Sequence, residues 1–475
     1  MATARRRWGF LLLVVPYLAA RVAVITGNTR VGVWYDTTTY AVRPGSGVRT
    51  GDLVSLTGDA PRLWGTPLFF ALFDGDIQRA RAQWAVSTAA FVLLAWGLWQ
   101  HLANVVVRVL AVAAVMVMSL ARQVASWDLA ILSEPLSISL GILAFAGLLL
   151  WLRDGRWWGW SVMVAAAFLW LFVRVELVLA VAALTCGLAV VAGRVRTRRR
   201  QAVAAVLVLV VGAGWATAIT PSVDRAFRHW SFTGFVQREE LFALRAAYRI
   251  FPDPDLYRVY REMGMPECPE AMAHLGPGAE RRERFLAAYA RCPRLRAWGV
   301  EHANAATVEA ALRDPGAFAR QFRADQRELI SSNPVRYGAS RWLLPIPVEQ
   351  AFFPPRAGPR ILVTFWGGLL LGVALVVVCG ALRRRPVLAW AGLGATAVTL
   401  GLLAFSELFS ATEPIRFGSQ EAIYARILAV TLVAAGADAL VARFRAARPD
   451  ARAAAADAVT PVVAAPGATP PPTRP

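Results

Sequence analysis

Long apolar runs alternate with short arginine-rich connections along this chain. A helix needs about 20 apolar residues to cross a bilayer. Runs of that order fall at 8–26, 83–102, 105–121, 129–152, 157–173, 175–193, 202–220, 361–382, 386–406 and 422–442. The pattern predicts an all-α polytopic membrane protein of about ten transmembrane helices. Arg174 and Glu176 interrupt the fifth and sixth runs, which read as a hairpin with its tip at the outer face. No charged residue stands out near the middle of any run. Residues 27–81 form a first polar loop whose Gly and Pro content predicts short helices and turns along the interface. Residues 221–360 form a longer insertion with Pro-bounded helical stretches, among them Arg281 to Arg291 and Asp314 to Ile330.

The resulting division is an N-terminal membrane module over 1–220, the insertion over 221–360, and C-terminal membrane helices over 361–443. The Ala-, Pro- and Thr-rich stretch 444–475 is expected to be a disordered cytoplasmic tail.

Composition sharpens the topology. Hydrophobic residues make up 57% of the chain, which excludes an ordinary large soluble core. The formal charge of +20 would suit nucleic acid if it formed one surface. Instead it is split among Arg5 to Arg7, Arg153 and Arg156, Arg194 to Arg200, Arg383 to Arg385, and Arg443 to Arg448. Arginines spaced this way orient a membrane protein, with the clusters inside. An even span count then puts both termini in the cytoplasm and both polar segments outside. The partner is the lipid bilayer, not nucleic acid. The absence of lysine, with much Ala, Val, Gly and Pro, points to a high-GC bacterial genome and hence the cytoplasmic (inner) membrane. No small-residue cleavage site follows the first run, so it is expected to stay as an uncleaved helix.

Cys186 and Cys379 fall in apolar runs and read as small hydrophobes. Cys268 and Cys292 lie in the insertion, where a disulfide is permitted if that segment is outside. It would close a loop of about 25 residues and stabilise by about 3 kcal/mol. His101, His229, His274 and His302 show no ligand spacing, so no metal site is expected. No cofactor is implied, and dependence on a divalent metal is left open.

The candidate chemistry gathers at the outer face. Asp36 and Tyr40, in Trp34-Tyr35-Asp36-Thr37-Thr38-Thr39-Tyr40, are four apart and share a face if the stretch is helical. Asp36 is either a general base for a lipid-borne substrate or an interfacial residue that only solvates the loop. Asp128 precedes the fourth run, and Glu134 sits roughly 8 Å below its entry at about 1.5 Å per residue. An ionisable group at that depth has a function or a paired arginine. Arg174 can grip a phosphate bidentately, or can pair with Glu134 or Glu176. Glu407, Glu413 and Arg416 lie between the last two runs, Arg416 being a second phosphate candidate or a solvated loop residue. The runs lack the Gly- or Pro-broken helix pairs of secondary transporters, and no Walker, G-x-S-x-G or H-E-x-x-H motif is present.

Four features occur in order over roughly the first 200 residues. They are Asp36-x-x-x-Tyr40, Arg62 through Pro67-Leu68, Leu132-Ser133-Glu134-Pro135-Leu136, and Arg174-Val175-Glu176, the last similar to an Arg-Pro-Glu. In this the chain resembles the GT-C superfamily of membrane glycosyltransferases. The likeness is strongest to bacterial enzymes related to protein mannosyltransferases and the lipid A aminoarabinose transferase. It departs from them in Val175 and in having a single acidic residue, Asp36, in the first loop. The resemblance implies a GT-C-like fold and inverting transfer of a mannose- or arabinose-class sugar. The donor would be a polyprenyl phosphate, and the acceptor a hydroxyl of an envelope glycan, lipid or protein at the extracytoplasmic face. Asp36 would be the base, Glu134 or Asp128 would orient the acceptor, and Arg174 with Arg416 would hold phosphate. Tyr40, Arg62 and Glu176 complete the expected substrate-binding set. A flippase or transporter of lipid-linked sugars and a non-catalytic envelope scaffold are the alternatives.

Overall fold

The computed structural model describes residues 2–28, 30–33, 36–40, 62–231, 233–276, 279–331, 343–409 and 414–457. Among them the regular structure is helical, apart from one isolated parallel bridge between Gly32 and Ala130. The N-terminal module comprises α1 (Ala2–Gly27), α2 (Asp76–His101), α3 (Val105–Leu120), α4 (Ser133–Asp154), α5 (Trp157–Leu171), α6 (Val178–Arg194) and α7 (Arg199–Trp230). The insertion adds α8 (Gln237–Arg245), α9 (Pro254–Glu262), α10 (Ala279–Ala290), α11 (Pro293–Arg313) and α12 (Pro315–Leu329). The chain returns into a continuous helical span, Arg360–Val378, that opens with α-helical and π-helical turns and continues as α13 (Gly368–Val378), then α14 (Pro386–Phe409) and α15 (Pro414–Asp457).

Among the described residues, seven helices are long and apolar enough to cross a membrane, and the protein is a multi-pass α-helical membrane protein. All ten apolar runs are helical, but three depart from a simple span. α3 stops at Ala121, whose extended backbone starts a 57° bend into Arg122–Leu129. α5 and α6 have 15 and 17 residues. At 1.5 Å per residue they are roughly 22 and 26 Å long, short of a hydrocarbon core of about 30 Å. The hairpin expected between them is present, and its tip is the turn at Val175–Leu177.

Several boundaries move. α2 begins ahead of residue 83, and Asp76 in its first turn holds Arg79 at 2.8 Å. α7 runs to Trp230, so the expected module boundary at 220 lies inside a helix. α15 continues to Asp457, past the expected start of a disordered tail at 444, while 458–475 lie outside the described residues.

Ion pairs stitch the apolar interior. Arg21, inside the first run, has no exposed surface. It donates to Asp128 Oδ2 at 2.7 Å, Thr88 Oγ1 at 3.0 Å, Ser87 Oγ at 3.1 Å and the Ser119 carbonyl at 3.1 Å. A cation at that depth is tolerated only with such a full set of acceptors. At the opposite end of the bundle, Asp438 of α15 accepts from Asn104 N at 2.6 Å and Arg385 Nε at 2.5 Å. Asn104 in turn caps α3 through Val106 N and Val107 N. Glycines let helices touch: a Cβ on Gly147 would lie 2.6 Å from Met163 N of α5, and one on Gly372 would lie 2.8 Å from Leu432 of α15.

The insertion folds around Phe242, Tyr260, Phe285, Tyr289 and Trp298. Asp253 and Asp314 cap α9 and α12, each followed by a proline in the first turn. Cys268 and Cys292 are joined by a disulfide, with Cα atoms 6.1 Å apart.

Two outcomes test the topology expected from the sequence and the disulfide. In a variant lacking the free cysteines Cys186 and Cys379, Glu301→Cys should react with an impermeant thiol reagent on intact cells. Arg196→Cys should react only after permeabilisation. Replacing Cys268 and Cys292 by serine should destabilise the insertion by about 3 kcal/mol, measured by the denaturant dependence of its proteolysis, with no change in helix content.

Candidate functional site

The end of α1 is tied to the stretch before α4. Gly32 N donates to the Leu129 carbonyl at 2.8 Å, and Ile131 N donates to the Gly32 carbonyl at 3.1 Å. Thr37 Oγ1 adds a bond to the Ile131 carbonyl at 3.0 Å. These anchor a single helical turn, Thr37–Tyr40, with Asp36 at its head. The Asp36 carbonyl accepts from Thr39 N and Thr39 Oγ1, which closes the turn. Trp34, Tyr35 and residues 41–61 lie outside the described residues.

From this turn a chain of charges runs into the bundle. Asp36 Oδ2 accepts from Arg416 Nη1 at 2.6 Å. Arg416 Nε donates to Glu134 Oε1 at 2.5 Å, so one guanidinium bridges two carboxylates that lie far apart in sequence. Glu134 Oε1 is also 3.8 Å from Arg174 Nη1, and Arg174 pairs with Glu176. Glu134 occupies the first turn of α4 and is almost wholly buried, and Ser133 Oγ lies 3.3 Å from its Oε2. The same serine hydroxyl reaches the Tyr40 hydroxyl at 3.3 Å. Arg62 lies over the Tyr40 ring at 4.7 Å and donates to Thr39 Oγ1 at 2.9 Å. Its Nη2 is 3.9 Å from Asp36 Oδ2.

Burial within this cluster is graded. The Glu134 side chain is 1% exposed and the Arg416 side chain 15%, whereas Asp36 keeps 30%. Asp36 is therefore the most exposed of the three. Burial pushes its carboxyl up, but the guanidiniums of Arg416, Arg62 and, from the insertion, Arg282 outweigh this and hold it below its ordinary value. Asp36 is ionised throughout the neutral range. Chemically, the cluster offers an accessible carboxylate beside cations suited to bidentate capture of phosphate.

Of the residues expected from sequence, Asp36, Tyr40, Arg62, Glu134, Arg174, Glu176 and Arg416 converge. Asp128 does not. The bend after α3 carries it inward to Arg21, where its side chain is 4% exposed, and it cannot orient a substrate beside Asp36. Glu407 also belongs elsewhere, paired with Arg249 of the insertion at 3.3 Å. Glu413 lies outside the described residues.

The sequence reading missed Glu421. It is 3% exposed, close enough to Arg174 to act on its charge, and its Oε2 has no hydrogen-bond partner among the described residues. Its one signal was an acidic residue little more than a helical turn after Arg416, at the edge of an apolar run. Among the described residues, no group of three His, Cys, Asp or Glu side chains is placed to hold a metal ion.

Fold and cluster together define a multi-pass helical membrane protein with an ion chain buried at one end of its bundle. No family model, curated protein or solved structure matches the chain.

The reassignment of Asp128 has a measurable consequence. Asp128→Ala leaves Arg21 buried without its anion and should cost about 3–5 kcal/mol. The double variant Asp128→Leu/Arg21→Met should recover most of that loss. Unfolding in mixed detergent micelles measures both.

Proposed function

We propose that this protein is an inverting glycosyltransferase of the GT-C type. It would move a mannose- or arabinose-class sugar from a polyprenyl phosphate to a hydroxyl of an envelope glycan, lipid or protein. The work would take place at the extracytoplasmic face of the cytoplasmic membrane. The observation that carries this reading is the Asp36–Arg416–Glu134 bridge, with Arg62 and Arg174 at its flanks. An accessible carboxylate and several phosphate-competent cations occupy one end of a lipid-embedded bundle.

In this reading α3 with its bent continuation, α5 and α6 also count as spans, for a total of ten and both termini inside. The short α5 and α6 would thin the bilayer locally, at a cost of fractions of a kcal/mol per Å. That thinning would bring the lipid phosphate toward Arg174 at the α5–α6 tip.

The reaction follows from the residues. Asp36 accepts the proton of the acceptor hydroxyl as the hydroxyl oxygen bonds to the anomeric carbon from the face opposite the phosphate. The bond from that carbon to the phosphate oxygen breaks, and the electron pair leaves with the phosphate. Arg416 and Arg174 stabilise the charge that develops there. Glu134 holds both guanidiniums in place, and Tyr40 with Arg62 lines the approach. While paired with Arg416, Asp36 is a weak base. A donor phosphate competing for that guanidinium weakens the pairing and raises the affinity of Asp36 for a proton.

Asp36→Asn should lower transfer by about 10²–10⁴ with folding intact, because the amide keeps the shape but accepts no proton. Arg174→Lys should impair donor use less, since the charge survives without the fork. The measurement is transfer from a radiolabelled polyprenyl-phosphate sugar by purified protein given a panel of envelope acceptors. Near-wild-type transfer by Asp36→Asn would remove Asp36 as the base. Movement of labelled lipid across reconstituted vesicles without donor consumption would replace the enzyme with a transporter.

A further inference from the structure

Arg416 reaches Asp36 and Glu134 from the last membrane helix. It stands in the first turn of α15, close behind the end of α14. The insertion grips both of these helix ends. At the end of α14, Arg245 Nη2 donates to the carbonyl of Phe409, the last residue of that helix, at 2.6 Å. Its guanidinium also lies over the Phe409 ring at 5.1 Å. Arg245 Nη1 is fixed by Thr307 Oγ1 at 2.6 Å, and that hydroxyl also takes the Tyr260 proton at 3.0 Å. One turn on, Arg249 projects from a widened π-helical turn, Ala246–Ile250. It joins Asp325 of α12 to the fully buried Glu407 of α14. Widened turns of this kind re-aim side chains and recur at functional sites.

At the start of α15, the end of α12 rests on Gly418, two residues beyond Arg416. A Cβ there would fall inside the van der Waals envelope of the Leu329 backbone. One residue further, the Ile330 carbonyl accepts from Arg426 Nη2 at 2.9 Å. Leu329 and Ile330 share a separate apolar cluster with Ile361, Phe365, Leu403 and Ala422. The insertion is thus keyed to the helix ends that flank Arg416.

We propose that Arg245 and Arg249 are positioning residues, and that the insertion's task is to hold the end of α14 and the start of α15 so that Arg416 bridges Asp36 and Glu134. This rests on the Asp36 cluster being the reactive site. The bridge is demanding. Both of its contacts are at hydrogen-bond length, and a misplacement of about 1 Å at a reacting group can cost about 10²-fold in rate. An insertion that merely covered the membrane face would need no buried arginines aimed at the end of α14.

The test reads the bridge directly and requires no sugar transfer. Asp36 is faced by Arg416, Arg62 and Arg282, with Glu134 sharing Arg416. Its titration in full-length protein carrying carbon-13 at the aspartate side-chain carboxyls, assigned by loss of the signal in Asp36→Asn, reports whether Arg416 is in place. In wild type the midpoint should lie below the ordinary carboxylate value. Arg245→Gln should raise it by about one pH unit or more, the effect of removing a close opposite charge. Gly418→Ala, which alters no charge but displaces the start of α15, should do the same, and it decides the matter if Arg245→Gln does not fold. Arg249→Lys should shift the midpoint less than Arg249→Gln. Arg356→Gln, which breaks an exposed pair with Glu328 on α12, should shift nothing.

Arg416→Gln should reproduce the rise, and adding Arg245→Gln to it should move the midpoint no further. An unchanged midpoint in folded Arg245→Gln and Gly418→Ala overturns the proposal. So do shifts that add to that of Arg416→Gln. If the midpoints move as stated while no variant, nor wild type, transfers sugar, the positioning role stands and the glycosyltransferase reading falls.

Discussion

An ion moved from water into a bundle of apolar helices loses several kcal/mol of hydration, and only close, well-bonded partners of opposite charge return it. That constraint shapes this protein. Arg21 gathers Asp128, two hydroxyls and a carbonyl around itself. Asp438 ties Arg385 to the start of α3. Arg416 divides its guanidinium between Asp36 and Glu134. Each arrangement joins helices distant in the chain, so the ions fix which helices are neighbours where apolar packing alone would accept several orders.

The three sites differ in access, and access separates structure from chemistry. The Arg21–Asp128 pair is sealed, with side-chain exposures of 0% and 4%. A sealed pair gives register and nothing else. The Asp36 end of the Arg416 bridge keeps 30% of its side chain exposed, within the electrostatic reach of Arg282 of the insertion. In the proposed reaction, a donor phosphate would compete with Asp36 for Arg416 there, and such an exchange would be sensitive to small displacements.

The insertion belongs to this electrostatic problem as much as to the surface. Its own core and disulfide make it stiff. Two of its arginines, Arg245 and Arg249, leave that core to meet the end of α14. In the proposed arrangement these charged contacts link the position of the insertion to the position of one side chain.

Much of this was legible from the chain. Apolar runs located the seven helices long enough to cross a membrane, because hydrophobicity over some 20 residues is a local property. Paired polar residues at the ends of those runs picked out Asp36, Glu134, Arg174, Glu176 and Arg416, because an ion at a helix end stands out against an apolar background. The Pro-bounded helices of the insertion were visible for the same reason: caps and prolines act within one turn. Which ions are sealed and which stay accessible was decided only by tertiary packing. Asp128 and Glu134 look alike in sequence, but the bend after α3 turns one toward Arg21 and leaves the other facing Arg416. Glu421 looked like the margin of an apolar run until its helix placed it beside Arg174. Spacing along the chain states which residues carry charge and at which end of a helix. Which charges meet depends on contacts across hundreds of residues, and no local pattern encodes those.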